Sequence, residues 1–235
     1  MESKLKNPST PQKNKIISNQ KSYKPNNTNN TNILPGDRKR LPDESLNSTH
    51  VFIDAGFLDN ISKYLGNGKY LKFDREKFSQ NLAKKHNLSC SKIFYYTAPP
   101  FQSTITTKQE NTRKEGYDKF TRKLKQKNII VREGRCQRLK IGNNFEYHQK
   151  AVDILLAMDL MDTISNKNIN KIILLTSDSD FVPIIKKLEE NKIKTILHTF
   201  YRKKRNVMFS RSNHLIKSVH KYVLLSKKDF ENSPL

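Results

Sequence analysis

The stretch LLTSDSDFVPIIKKLEENKIKT, Leu174 to Thr195, sets Asp178 and Asp180 a single residue apart where an apolar run stops and a helical pattern begins. Two more acids occupy comparable settings. Asp54 follows Val51-Phe52-Ile53, and Asp153 stands near the start of KAVDILLAMDLMDTIS, where its apolar neighbours predict little surrounding water. A carboxylate in such a place costs several kcal/mol to desolvate unless it is paired, capped or bound to a metal. Four carboxylates drawn from three segments repel one another, and their proton affinities rise unless cations neutralise them. Hard divalent ions with oxygen ligands, Mg2+ or Mn2+, suit that role, and such sites hydrolyse phosphodiesters by activating water, with no nucleophilic side chain needed. Taken singly, each acid has a plainer reading. Asp178 or Ser179 can cap the following helix, a contribution of about 1 kcal/mol. Asp153 can face its helix dipole for roughly 0.3 to 1 kcal/mol, and Asp54 can pair with a lysine.

The rest of the composition narrows the partner. The chain has 235 residues with 45 Lys+Arg against 22 Asp+Glu, a net charge of +23. That excess favours a polyanion, with nucleic acid ahead of a membrane surface because no amphipathic anchor is evident. No apolar run approaches the roughly 20 residues of a spanning helix and no signal peptide is evident, so the reading is a cytoplasmic protein with no membrane partner. Cys90 and Cys136 stand far apart without CxxC or clustered Cys/His, which argues against a zinc knuckle or a disulfide framework. GxGxxG after a strand, GxxxxGK[ST], GxSxG and HExxH are all absent. Of the six histidines only His148, just ahead of the Asp153 segment, is placed for a catalytic role.

The elements that must position the acids follow from the apolar pattern. Residues 1–48 hold Asn- and Pro-rich sequence such as KPNNTNNTN, with no apolar periodicity, and read as a disordered basic tail. From Thr49 onward, runs 50–58, 91–98, 129–134, 170–177 and 192–200 read as strands, 74–86, 108–127, 150–165 and 181–191 carry helical patterns, and 213–226 reads as a last helix with an edge strand. Asp74 is the expected cap of the first of these helices. The 150–165 helix is apolar nearly all round and is expected to be buried against a sheet. RCQRLKIGNNFEYHQ (135–149) reads as a hairpin or loop around its Gly-Asn-Asn. This alternation predicts an α/β fold with a mostly parallel sheet and helices on both faces. In such sheets ligands sit beyond the carboxyl ends of the strands, where Asp54, Asp178 and Asp180 fall.

FIDAGFL (52–58), KAVDILLAMDL (150–160) and the 174–195 block resemble, in order and approximate spacing, the motifs of LabA-like NYN domains, a branch of the PIN-like nuclease superfamily. LIKSVHKYVLL (215–225) is similar to the family's closing helix and strand. The resemblance covers roughly residues 49–226, so the expected organisation is a tail to residue 48, a PIN-like domain over 49–228 and a short C-terminal tail at 229–235. It implies divalent-metal-dependent RNA cleavage, with Asp54, Asp153, Asp178 and Asp180 on the family's acidic positions. Thr176 and Ser177 lie beside the third block, and Asp159 matches a further family aspartate. Asp159 is about 120° around the helix from Asp153, so the two cannot face one ion. Three positions depart from the family: Ser177 where Gly is usual, Phe57 where Asn is frequent, and His220 where the closing helix usually has an acid.

From Ile193 to Lys228 there are ten Lys/Arg and no acid, which makes Tyr201, Arg202, Lys203, Lys204, Arg205 and Arg211 candidates for RNA contact, with Tyr201 or Phe209 stacking on bases. A second basic block on the 108–127 helix includes Arg113 and Lys114. The competing readings are an RNA-binding module of the same fold with weak or no turnover, and a small-substrate phosphatase that so broad a positive field disfavours. A homo-oligomer is compatible with the sequence.

Overall fold

The computed structural model describes residues 47–142, 144–202 and 209–235. The expected tail up to Leu46, and Lys203, Lys204 and Arg205, lie outside the described residues. Strand β1 (Asn47–Asp54) leads into helices α1 (Ala55–Leu65) and α2 (Arg75–Lys84), then β2 (Leu88–Thr97), α3 (Lys108–Gln126) and β3 (Ile129–Glu133). A hairpin of β4 (Arg135–Ile141) and β5 (Asn144–Lys150) comes next, followed by α4 (Val152–Asp162), β6 (Lys171–Leu175), α5 (Val182–Glu190), β7 (Lys194–Thr199), α6 (Asn213–Ser218), β8 (Lys221–Leu224) and α7 (Lys227–Glu231). Six strands form one parallel sheet in the order β3-β2-β1-β6-β7-β8, and β4 and β5 form a separate antiparallel ribbon.

Period-two alternation divides the core between the two faces of this sheet. Val51, Ile53, Ile93, Tyr95, Ile173 and Leu175 face a cluster with α1, α2 and α3, while Phe52, Phe94, Tyr96, Ile172 and Leu174 face α4, α5 and α6. The chain winds outward from β1 in one direction through β2 and β3, returns, and winds outward in the other through β6, β7 and β8. Right-handed crossovers leaving the centre in opposite directions must put their helices on opposite faces, so the expected two-sided α/β sheet is what forms. The strand order reverses between β1 and β6, which makes their carboxyl ends the natural crevice.

Several boundaries differ from the sequence reading. The apolar run 50–58 is not one strand: it changes to helix at Ala55, because the Asp54 side chain accepts the Phe57 amide at 3.1 Å and caps α1. Phe57 and Leu58 remain buried, but as helix residues. Helix α4 is not covered all round. Its buried stripe is Val152, Leu156, Asp159 and Leu160, whereas Ile154 and Met158 are exposed, because only one side of the helix meets the sheet. Phe209, expected to stack on bases, is buried against Phe200 and Tyr64 instead. His220 lies past the end of α6, exposed just before β8, at the amino end of a parallel strand and thus opposite the crevice.

The expected C-terminal tail is also a packed element. Phe230 sits 4.9 Å from Phe73 and 5.1 Å from Phe78 between ring centres, and is 1 % exposed. Asp229 pairs with Lys85 and accepts the Ser226 amide at 2.7 Å, and the Ser233 carbonyl accepts the Asp74 amide at 2.8 Å. A single Phe in a short polar segment gives no periodicity, which is why this docking is invisible in the sequence. Phe230→Ala is expected to cost about 3 to 5 kcal/mol, as buried Phe truncations do; urea unfolding of parent and variant measures it, and a loss below 1 kcal/mol would show that the segment is not docked in solution.

Candidate active site

Asp54 ends β1 and Thr176 directly follows β6, so adjacent parallel strands deliver them side by side. The fully buried Thr176 hydroxyl donates to Asp54 Oδ2 at 3.3 Å and accepts the Asp178 amide at 3.1 Å. Asp178 in turn caps a 3-10 turn, Ser179–Phe181, by accepting the Asp180 amide at 2.9 Å. Asp178 thus acts as a cap, but of this turn and not of α5, which starts after Phe181 without a side-chain cap, and capping accounts for one acid of the pair. Asp180 is exposed and Ser177 is exposed beside it.

Asp153 reaches the same end of the sheet by a different route. Its helix starts after Ala151, which adopts a left-handed φ of 68° and gives α4 no side-chain cap. The chain can pass there because residue 134 is glycine: an added Cβ would stand 2.4 Å from the Lys150 carbonyl oxygen and 2.7 Å from Val152 Cγ2. The Gly134 amide donates to the carbonyl of Thr97, the last residue of β2, at 2.8 Å. The start of α4 is thus fixed to the carboxyl ends of β2 and β3. Asp153 itself is exposed, contrary to the expectation of little water nearby, because it lies in the first turn of α4 at the flank of the buried stripe.

Electrostatics tie the four acids together. Burial, above all, and then the charge of Asp153 push the Asp54 carboxyl up to about 6, against the pull of the Phe57 amide and the Thr176 hydroxyl. Although Asp153 is exposed to water, the protein atoms around its carboxyl partly desolvate it, and this, then Asp178 and Asp180, raises its proton affinity. Asp153 is thus the link in the group: it raises Asp54 and is itself raised by Asp178 and Asp180. None of the ion pairs among the described residues includes Asp54, Asp153, Asp178 or Asp180, although the chain carries +23. Oxygen-only donors with uncompensated negative charge fit a hard divalent cation. Among the described residues, no three His, Cys, Asp or Glu side chains already converge as ligands of one ion would.

Asp159 is elsewhere. It is buried, accepts a two-pronged contact from Arg132 at 2.8 Å and 2.8 Å, and accepts the Tyr96 hydroxyl at 2.9 Å. With His50, Lys92 and Arg132 it lines a hollow of about 670 Å3 toward the amino ends of the strands, away from the other four acids. Arg132 was not marked as a site residue from the sequence, and a lone Arg in a strand carries no signal. His148 is exposed on β5, 3.2 Å from Glu146, and takes no part in the acid group.

Of the expected RNA-contacting residues, Tyr201 lines a small cleft with Ser177, Ser210 and Ser212, which puts the segment after β7 beside the Asp178 loop. Arg211 lies over the Tyr201 ring at 5.3 Å, and Arg202 over Tyr64 at 5.6 Å. Arg113 is exposed on α3, whereas Lys114 is engaged with Asp118 at 2.6 Å. No helix among the described residues is long and apolar enough to cross a membrane.

A family model described as the NYN domain matches residues 48–225. No curated protein matches significantly. A crystal structure of a protein of unknown function from Vibrio parahaemolyticus RIMD 2210633 is similar in fold, with a TM-score of 0.54 and 13% identity, covering 81% of this chain and 99% of that one.

Asp54 gives a direct test of the uncompensated charge. Its folded-state proton affinity exceeds that of an unfolded aspartate, near 3.8, so its contribution to stability is full below pH 3.8 and is lost as pH rises through 6. Asp54→Asn keeps the cap and removes the charge. In chelator at pH 7.5 it is expected to stabilise the protein by up to about 3 kcal/mol, at about 1.4 kcal/mol per unit of pKa, and to have little effect at pH 4. Thermal melts at the two pH values decide it; equal shifts at both would mean that charge is not the cause.

Proposed function

The chain belongs to the NYN domain family, within the PIN-like nuclease superfamily, and on that premise we propose that it is a divalent-metal-dependent ribonuclease. What supports the reading is that Asp54 and the Asp178–Asp180 loop follow the adjacent strands β1 and β6, with Asp153 electrostatically coupled to them, and that no ion pair among the described residues of a strongly basic protein engages any of the four. One or two Mg2+ or Mn2+ ions held by Asp54, Asp153, Asp178 and Asp180 would supply activated water and neutralise charge developing on the phosphate.

The chain's own residues have separable parts in this. Asp54 is aimed by the Phe57 amide and the Thr176 hydroxyl, so it offers its oxygens in one fixed direction. Thr176 is a positioning residue that sets the spacing between Asp54 and the Asp178 loop. Asp153, in the first turn of α4 without a side-chain cap, would be the fourth ligand. Tyr201, which lines a cleft with Ser177, and Arg211 over its ring would hold the strand, with Arg202, Lys203, Lys204 and Arg205 adding to the positive charge of that segment. In the net step a P–O bond breaks, the oxygen of water bonds to phosphorus, and a proton passes to the departing sugar oxygen.

A binding module with weak turnover is the second reading. It draws on the absence of three preconverged ligands among the described residues, and on Phe57, whose side chain is committed to the core where a polar group is frequent in the family. Cleavage of labelled RNA with Mn2+, with Mg2+ and with chelator separates the two. Asp153→Asn or Asp178→Asn is expected to lower the cleavage rate on the order of 10²- to 10³-fold while RNA binding persists, since a lost ligand removes several kcal/mol of charge stabilisation. Parent and variants that bind RNA equally and cut it at the same background rate would establish the binding module.

A further inference from the structure

The β4–β5 ribbon has no part in the sheet, yet its base is fixed at the same end as the acids. Gly134 meets Thr97 just before β4, and β5 ends at Lys150, three residues before Asp153. The pairing register decides which side chains share a face. Arg138 pairs with Tyr147, Lys140 with Phe145 and Cys136 with Gln149, so one face carries two cations, two aromatic rings and no acid. Glu146, the acid of the hairpin, pairs with Leu139 on the other face. Phe101, from the loop after β2, adds a third ring. The Arg138 guanidinium lies 4.6 Å from the centre of Phe101 and 4.6 Å from that of Phe145, and Phe101 is 5.8 Å from Tyr147.

This face is built but uncovered. Phe145 is 52 % exposed and Tyr147 51 %. Exposed rings in a two-stranded ribbon contribute little to folding, and a guanidinium stacked between two of them holds those rings apart in a fixed order. Rings interleaved with cations are what unpaired nucleotides require: π faces for bases and positive charge for the backbone. A duplex buries the faces of its bases and presents only their edges, so it cannot use such a platform. The absence of any acid from the face matches a polyanion and disfavours a second copy of a chain carrying the same charge.

We propose that the β4–β5 hairpin is a stacking arm for single-stranded RNA, on which Phe145, Tyr147 and Phe101 hold unpaired bases while Arg138 and Lys140 meet the backbone leading to the acids. The arm rests on the nuclease reading and makes its substrate unpaired RNA.

The chain contains no Trp, so Phe145→Trp makes the hairpin its own fluorescent probe. Titrated in chelator, where nothing is cut, the Trp emission is expected to be quenched by a 12-nucleotide unstructured RNA and unmoved by the same sequence as a duplex. Phe145→Ala with Tyr147→Ala is expected to weaken single-strand binding on the order of tenfold per ring removed, with an unchanged salt slope, because stacking releases no counterions. Melting curves matching the parent's show that these exposed changes leave the fold intact. Emission unmoved by a bound single strand, or equal quenching by duplex, overturns the arm; cleavage by the parent in Mn2+ would leave the nuclease reading standing in that case. Emission that shifts with protein concentration, with sedimentation as a dimer, would assign the face to a second copy and overturn the proposal. A parent that neither binds nor cuts RNA would overturn both.

Discussion

The position of β1 between β2 and β6 is the constraint on which the rest hangs. With a strand on each side and helices over both faces, every residue of β1 from His50 to Ile53 is buried, and the chain meets water again only at Asp54. A parallel neighbour in register ends beside it, so whatever follows β6 must share that opening. Thr176 occupies the shared edge and spends its hydroxyl on both sides of the crevice. The closeness of Asp54 to the Asp178 loop is thus a property of strand order and not of any attraction between the acids, which repel each other.

Charge distribution follows a similar division. Several cations of the described surface are committed to local partners: Lys127 to Asp74, Lys85 to Asp229, Arg132 to Asp159 and Lys114 to Asp118. These pairs secure helix ends and the C-terminal segment, and none of the ion pairs among the described residues reaches Asp54, Asp153, Asp178 or Asp180. The molecule as a whole attracts a polyanion while its crevice repels one. In the proposed nuclease, a phosphate would approach that crevice together with metal cations, so that the binding of substrate and of metal would be coupled.

Much of this arrangement was legible from the residues. The alternation of apolar runs is enough for the two-sided parallel sheet, and the shared setting of Asp54 and Asp178 at strand ends points to one crevice. What escaped has physical causes. A continuous apolar run cannot tell a buried strand from a strand followed by a buried helix, so the change at Ala55 needs the cap seen in three dimensions. The apolar surface of α4 overstates its burial, since apolar composition does not say which neighbours will cover it. Phe209 and Phe230 stand alone in polar segments, and long-range contacts with Tyr64 and Phe73 draw them inside. The Gly-Asn-Asn of the hairpin shows that the chain turns. Which rings share a face depends on register, which only the pairing of Arg138 with Tyr147 reveals.

The contact between Arg132 and Asp159 has one further consequence. A helix packed by an apolar stripe alone can turn a few degrees about its own axis at small cost, and a side chain at its tip then swings sideways. Two guanidinium nitrogens and the Tyr96 hydroxyl hold Asp159 from the far side of α4, and so act as an indexing pin that stops that rotation. The bearing of Asp153 is therefore set six residues along the helix, by a carboxylate bound to Arg132 and Tyr96. If the proposed activity holds, an alanine scan scored on activity alone would place Asp159 among the catalytic acids, when what its loss removes is aim.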